Sequence, residues 1–371
     1  MTEHSPMKVG LIGCGDIARK AYIPFSQNEQ SAYEIVACCD VRGEFARQMA
    51  EDFSIPKAYD DVDQLLADDE IDIILNLTHP AGHGPLNLAA LQAGKHVHCE
   101  KPFAVTLEEG KAVLEEAERR GLKTSCAPDT VLGPGTQTCR KLVADGVIGE
   151  VLSAKLQLTG AGHEHWHPNP EFYYKKGGGP LLDMGPYYLS FLVQLLGPVK
   201  SVQGRAITSF KERPFRCGER EGETIEVETP TFYVGSLETE SGVIVSVQFS
   251  FDHPFGFSGS FLPEIYGTQG CLTGTDPNNF DGQPKLNTVW AGSEDPIEQP
   301  LAFDYAHGRG LGLVDLVHAV RENREPRCGG QLAYHTLEVM LAFEESERTG
   351  STVEIQSSCD IPPAMPDGGL A

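Results

Sequence analysis

An acid, a base and a proline stand together at Glu100, Lys101 and Pro102, directly after the short run 95–99, KHVHC, that starts after the Gly94 break. Such a run reads as a strand, and the carboxyl end of a strand is where open α/β sheets hold their ligands, so the two charges are delivered to a place suited to chemistry. A lysine ammonium beside a reacting oxygen stabilises negative charge as a proton leaves. A second pair, Asp183 and Tyr187, lies four apart in the apolar-periodic stretch 180–196. That spacing puts a carboxylate and a phenol on one helical face. A neighbouring Lys101 ammonium would lower the phenol pKa from about 10 toward neutrality, which makes a lysine and tyrosine pair competent to move a hydroxyl proton. The plain alternative is a surface tyrosine beside a structural aspartate. Pro186 removes an internal helix hydrogen bond and predicts a kink or a late start. Tyr188 is a rival for the same role, pointing about 100° away.

A third group is Gly13, Cys14, Gly15, Asp16, Ile17 and Ala18, a GxGxxA pattern after the strand-like run 8–13. Gly13 permits a tight turn, Gly15 lets the backbone approach a pyrophosphate, and Ala18 lets the following helix pack closely. The alternative is an ordinary strand-to-helix turn in which glycine supplies only φ freedom. A second run, 33–39, ends at Asp40, about 20 residues past Ala18, the spacing of a ribose-binding carboxylate. Asp40 accepts hydrogen bonds from ribose hydroxyls and repels a 2'-phosphate, so NAD is preferred over NADP. Arg42 either holds such a phosphate or is a solvated residue at a helix start.

The elements that position these residues follow from periodicity. The run 71–77 is a buried strand, and Leu86, Ala89, Ala90 and Ala93 then recur at helical spacing until Gly94. Segments 43–52 and 60–67 read as covering helices. Thr106 caps a helix over 106–120 with acids in its first turn, and a strand over 122–127 closes a first domain at 128. A helix bridges 131–145. From 147 onward longer alternating strands dominate, which predicts an α+β second domain, 129–371, with a mostly antiparallel sheet. The segment 276–300 reads as a surface loop, 311–321 and 332–348 as helices, and the ending as poorly ordered.

Between the first two strands of the second domain lie His163, Glu164, His165, Trp166 and His167, then Phe172, Tyr173 and Tyr174. Alternating histidines can converge on a metal, but no further ligand pair stands at suitable spacing and proton transfer at a hydroxyl needs none, so no metal is expected. Rings that stack on pyranose faces and imidazoles that bond hydroxyls suit a sugar. Trp166 and His167 are the expected substrate contacts, whereas His163 and His165 are expected only to decorate the loop.

GCGDIA, Asp40 after the second strand, THPAGHGPLNLAALQAGKHVHCEKP and GGGPLLDMGPYY together resemble the glucose-fructose oxidoreductase and inositol dehydrogenase (Gfo/Idh/MocA) family. The resemblance implies an amino-terminal Rossmann domain and a carboxyl-terminal α+β domain whose large sheet mediates homo-oligomers, dimers or tetramers. It implies oxidation or reduction of a sugar-like or polyol hydroxyl with a nicotinamide cofactor. By the same resemblance Lys101 contacts both cofactor and substrate hydroxyl, with Glu100 and Pro102 as cofactor-side neighbours, and Thr78, Pro80 and His83 pack around nicotinamide and diphosphate. His79 either joins them or is a buried histidine satisfied by backbone. Asp129 falls near a family asparagine beside the substrate, which makes it a candidate hydroxyl acceptor or else a loop carboxylate in water. The family commonly has histidine where Tyr187 stands.

Composition excludes several classes. A formal net charge of -24 opposes nucleic-acid and anionic-membrane partners. No apolar run reaches bilayer length and the start, MTEHSPMKVGLIG, lacks a signal-peptide pattern, so a cytoplasmic protein is expected. The ten scattered cysteines suit reduced core thiols. The leading expectation is an NAD-dependent sugar or polyol dehydrogenase. Two others are a redox-neutral glycosidase that oxidises its substrate transiently, and a cofactor-binding regulator without catalysis.

Overall fold

The structure, a computed structural model, describes residues 5–27, 32–253, 261–288 and 295–370 of the chain. Unalternated apolar runs make strands that are covered on both faces. Here they include β1 (Met7–Ile12), β2 (Tyr33–Cys39) and β4 (Ile73–Asn76), joined by β3 (Lys57–Tyr59), β5 (His96–Cys99) and β6 (Thr124–Cys126), whose sequences are more polar. They form one parallel sheet in the order β3-β2-β1-β4-β5-β6. This is the doubly wound Rossmann order, whose direction reverses between β1 and β4 and leaves a crevice there for a ligand. Ile73, Ile74 and Leu75 are fully buried; each contributes about 1.5–3 kcal/mol relative to exposure.

A π-helical turn, Ala18–Tyr22, runs into α1 (Ile23–Ser26), and the crossovers continue with α2 (Gly43–Phe53), α3 (Val62–Leu66), α4 (Pro80–Gln92) and α5 (Leu107–Arg120). The Thr106 hydroxyl accepts from the Glu109 amide at 3.2 Å, capping α5 as its sequence predicts. Asp61 caps α3 in the same way, accepting from the Asp63 amide at 2.9 Å.

The chain divides into two compact units, and the cut is not single. The first takes residues up to Leu132 together with 305–334 and 362 onward; the second takes 133–304 and 335–361. The second unit carries α6 (Pro134–Ala144), β7 (Val151–Thr159), a 3-10 turn (Pro170–Tyr174), α7 (Gly179–Leu196), β8 (Val199–Ile207), β9 (Glu212–Pro214), β10 (Thr224–Glu226), β11 (Phe232–Thr239), β12 (Ile244–Ser250), β13 (Glu264–Gly267), β14 (Gly270–Thr273), β15 (Lys285–Thr288) and β16 (Ile297–Glu298). β9 and β10 pair with each other, while β7, β8 and β11 to β16 build with β17 (Val353–Glu354) a nine-stranded sheet in the order β16-β15-β14-β13-β7-β12-β11-β8-β17. Every pairing is antiparallel except β7 with β12. β15 and β16 fall where a loop was expected over 276–300; residues 289–294 of that stretch lie outside the described residues. Alternation sorts β12, with Val245, Val247 and Phe249 buried and Ile244 exposed. α7 packs on β7, β11 and β12. Gly185 lets α7 approach Met340, since a Cβ there would meet its sulfur at 2.8 Å.

Two helices follow, α8 (Leu311–Glu322) and α9 (Gly330–Thr349). α8 packs beside β5 and β6. Its Asp315 is fully buried and accepts from the Arg327 amide at 2.5 Å, Arg327 Nη1 at 2.6 Å and Arg324 Nη2 at 2.7 Å. Arg327 Nε then donates to the carbonyls of Pro363 and Ala364, both at 3.2 Å. The ending expected to be poorly ordered is thus tied to the first unit, with Met365 buried. Its prolines prevent helix and strand but leave their carbonyls to accept.

Candidate active site

In the first unit the glycine turn is built for close approach. Gly13 has φ of 99°, and a Cβ on it would lie 2.8 Å from the Leu77 carbonyl, so β1 and β4 can meet at the crevice only through glycine. Gly15 faces open space, with nothing within 4 Å of where its Cβ would be. Ile17, beside it, is an exposed large apolar side chain, and Asp16 is exposed and paired with Lys20 at 2.7 Å. Asp40 Oδ2 accepts from the Cys14 amide at 3.0 Å and Oδ1 from the Arg42 amide at 2.9 Å. Each carboxylate oxygen keeps a second lone pair for a hydroxyl. Arg42 is exposed, with its guanidinium 3.7 Å over the Phe45 ring and Nε 3.8 Å from Asp40. An open turn for a diphosphate, a carboxylate for a ribose and an apolar side chain at the mouth fit a dinucleotide.

Around Lys101 the loops are locked by buried polar groups. Asn76 ends β4, where its Oδ1 accepts from the Thr78 amide at 3.2 Å and hydroxyl at 2.7 Å, while Nδ2 donates to Asn87 at 2.9 Å. His83 is buried, with Nδ1 2.6 Å from the Pro102 carbonyl and Nε2 2.8 Å from the Thr78 carbonyl. Burial holds its pKa below the ordinary value against the pull of the two carbonyls. The ring therefore ties the loop after β5 to the loop after β4. His79 precedes Pro80 at the start of α4 and is exposed, so the alternative of a buried histidine is not realised.

Glu100 is buried, accepting from the Tyr22 hydroxyl at 2.9 Å and the Lys101 amide at 3.1 Å. Burial raises its pKa, but the Arg309 and Lys101 charges and these hydrogen bonds outweigh it and hold the carboxyl below its usual range. Lys101 follows, half-buried. Asp129 is corrected on one point: it is no loop carboxylate in water but fully buried, with Oδ2 accepting from the Gly310 and Gly312 amides at 2.7 and 3.2 Å. It holds the start of α8, and burial raises its pKa against Arg309 and those amides.

In the second unit Asp183 and Tyr187 share a face of α7. The helix runs unbroken from Gly179 and does not start late, although Pro186 leaves the Leu182 carbonyl without its helical donor. Tyr187 is buried. Tyr188 is excluded as its rival, since its hydroxyl donates to the Phe261 carbonyl at 2.7 Å and burial pushes its pKa up.

The histidine loop is clamped rather than loose. Glu164 is buried, accepting from Arg213 Nη1 at 2.6 Å and from the Tyr174 hydroxyl. Arg213 also donates to the Ala161 carbonyl at 3.1 Å, the Phe251 carbonyl at 2.8 Å and Asp252. The expectation that His163 merely decorates the loop is overturned, for its ring lies 3.9 Å from that of Tyr173 and its Nε2 3.4 Å from Asp183 Oδ2. Trp166 is 55% exposed, its ring edge-on to His167 at 5.3 Å. His167 meets Phe172 and Tyr173 edge-on at 5.5 and 5.6 Å. Among the described residues no group of three His, Cys, Asp or Glu side chains is placed to hold a metal.

Sequence reasoning missed Tyr22, Asn76 and Arg213, and named Tyr173 only as one ring of the loop. Asn76 carried a signal, a polar residue inside an apolar strand; the others carried none of their own.

Comparison with known proteins gives a consistent result. Residues 7–127 match the model of an oxidoreductase family with an NAD-binding Rossmann fold. Residues 136–273 match the GFO/IDH/MocA C-terminal domain. The chain is 30% identical over 359 residues to D-glucoside 3-dehydrogenase of Escherichia coli strain K12, covering 95% of this chain and 98% of that protein. It is 26% identical over 354 residues to 1,5-anhydro-D-fructose reductase of Ensifer adhaerens, covering 94% and 98%. Levoglucosan dehydrogenase, solved with NADH and L-sorbose, shares the fold with a TM-score of 0.81 at 20% identity, over 95% of this chain and 100% of that one.

Proposed function

This chain belongs to the GFO/IDH/MocA oxidoreductase family, and from that premise we propose that it is an NAD-dependent dehydrogenase of a sugar, inositol or related polyol. The observation that carries the reading is that Lys101 follows β5 in the same parallel sheet whose strands β1 and β2 lead into the Gly13 to Gly15 turn and Asp40, the residues proposed to cradle the dinucleotide. A D-glucoside and an anhydrofructose, the compounds in the relatives' names, support a ring sugar. Bound NAD would supply the hydride acceptor. The overall change is an alcohol and NAD+ becoming a ketone or lactone, NADH and a proton.

The chain's own groups handle the oxygen. Tyr187 takes the hydroxyl proton as the C–H bond breaks, and Lys101 stabilises the charge left on that oxygen. Asp183 accepts a hydrogen bond from the substrate and orients it. Trp166 offers a face to the sugar ring and His167 a nitrogen to a hydroxyl. Gly13, Gly15, Asp16, Ile17 and Thr78 line the cofactor, with His79, Pro80, Glu100 and Pro102 at its nicotinamide end. His83 and Asp129, being buried, serve by holding loops. Turnover of pyranosides, aldoses and polyols with NAD, followed by NADH absorbance, tests the reading; no NADH from any of them overturns it.

Cofactor choice rests on Asp40. With Arg42 held over Phe45 and Asp40 bonded to the Cys14 amide, a 2'-phosphate would meet the carboxylate. NAD is expected to be preferred, and Asp40→Ala to narrow the preference about tenfold, a charge contact worth roughly 1.4 kcal/mol. Equal kcat/KM with both cofactors in the unmutated protein would contradict it.

We place the enzyme in the cytoplasm as a homo-oligomer. All ten cysteines are free, and among the described residues no helix is long and apolar enough to cross a membrane. One face of the nine-stranded sheet exposes Val234, Ile244 and Tyr266. Sedimentation as a dimer or tetramer is expected, lost on Ile244→Glu; a monomer at every concentration would contradict this.

A further inference from the structure

Resting on the reading above, the geometry points to His163 as a positioning residue for the reaction, one whose Nε2 holds the carboxylate of Asp183 in the orientation that receives a substrate hydroxyl. Nε2 lies 3.4 Å from Asp183 Oδ2, with side-chain exposures of 18% and 15%. The gap is a few tenths of an ångström longer than a good hydrogen bond, as catalytic contacts often are before substrate binds. Both ring nitrogens are buried and have no hydrogen-bond partner. A buried polar atom left unsatisfied costs free energy, so the ring gains by turning an N–H to the nearby carboxylate.

The surroundings leave the ring little choice of direction. Tyr173 stacks on it at 3.9 Å, while Phe251 and Trp166 meet it edge-on at 4.6 and 5.3 Å. Its backbone is pinned as well. The His163 amide donates to the Tyr174 hydroxyl at 3.1 Å, and its carbonyl accepts from the amides of Trp166 at 3.2 Å and His167 at 2.9 Å. Tyr174 in turn binds Glu164, which pairs with Arg213; side chains of 4% and 7% exposure make this a buried clamp. A loop that only covered the sheet would need no such clamp on an imidazole.

The consequence for Asp183 is specific. A carboxylate that keeps one oxygen on an imidazole N–H presents the other in a fixed direction. A hydroxyl bonded to it then stays in the reactive pose, where a displacement of about 1 Å is costly in rate.

The test uses His163→Phe, which keeps the ring stack and removes both nitrogens, and His163→Gln, which returns an N–H near the position of Nε2. His163→Phe is expected to lower kcat/KM for the sugar about tenfold, through a raised KM for sugar and a lowered kcat. NADH affinity and melting temperature should hold, and His163→Gln should recover most of the loss. In an Asp183→Asn background, His163→Phe should cost little further, because the carboxylate it positions is gone. Unchanged kcat and KM in His163→Phe overturn the inference. So does an equal loss in both variants with a lowered melting temperature, or simple additivity with Asp183→Asn. Lys101→Met measured alongside separates the two levels: if it keeps normal turnover the functional reading itself fails, whereas an inactive Lys101→Met beside a normal His163→Phe sinks this inference alone.

Discussion

Lys101→Met is expected to cut turnover of the natural substrate at least about a hundredfold, on the order of 3 kcal/mol of transition-state stabilisation. The substitution keeps most of the stem and removes the charge. The backbone of the loop does not depend on the ammonium, because the Lys101 amide is held by Glu100, Glu100 by Tyr22, and the Pro102 carbonyl by His83. The variant should therefore stay folded and bind NADH within a few-fold of the original. Lys101→Ala should be about as damaging, since the ammonium acts on charge that develops as the hydroxyl proton leaves. Near-normal kcat in either variant would reduce Lys101 to a brace for the cofactor loop.

Tyr187→Phe is expected to lower kcat by roughly 10²–10⁴, the usual worth of a positioned proton acceptor, with little change in NADH affinity. The ring is buried in α7, so phenylalanine keeps its packing and only the hydroxyl is lost. Tyr188 cannot take over, because its hydroxyl is already donated to the Phe261 carbonyl. Stopped-flow turnover beside NADH titration separates the two quantities. Unchanged kcat would pass the proton to His167 and remove Tyr187 from the chemistry.

Much of this arrangement is legible in the chain because it is local. The run 33–39 becomes β2 with those bounds and hands over to Asp40; the Thr106 cap and the four-residue step from Asp183 to Tyr187 follow from neighbours in sequence. What is not legible depends on distant partners. Glu100 is buried because Tyr22, 78 residues away, satisfies it, and Asp129 because amides 181 and 183 residues on donate to its carboxylate. β3 escapes notice since Lys57, Ala58 and Tyr59 form no apolar run, yet β2 offers them a free edge. Nothing local marks 305–334 for the first unit either; that depends on α8 packing beside β5 and β6 and on the Gly310 and Gly312 amides reaching Asp129. His163 looks like part of a histidine alternation until Tyr173 and Asp183 are seen beside it.

Direct hydride transfer tests the central claim most closely. A sugar substrate deuterated at its reacting carbon, incubated with NAD and the protein, should yield deuterated NADH and the oxidised sugar in equal amounts by mass spectrometry, with a slower rate than the protonated substrate where C–H cleavage limits turnover. Release of an aglycone without accumulating NADH, or unlabelled NADH beside oxidised sugar, would contradict it.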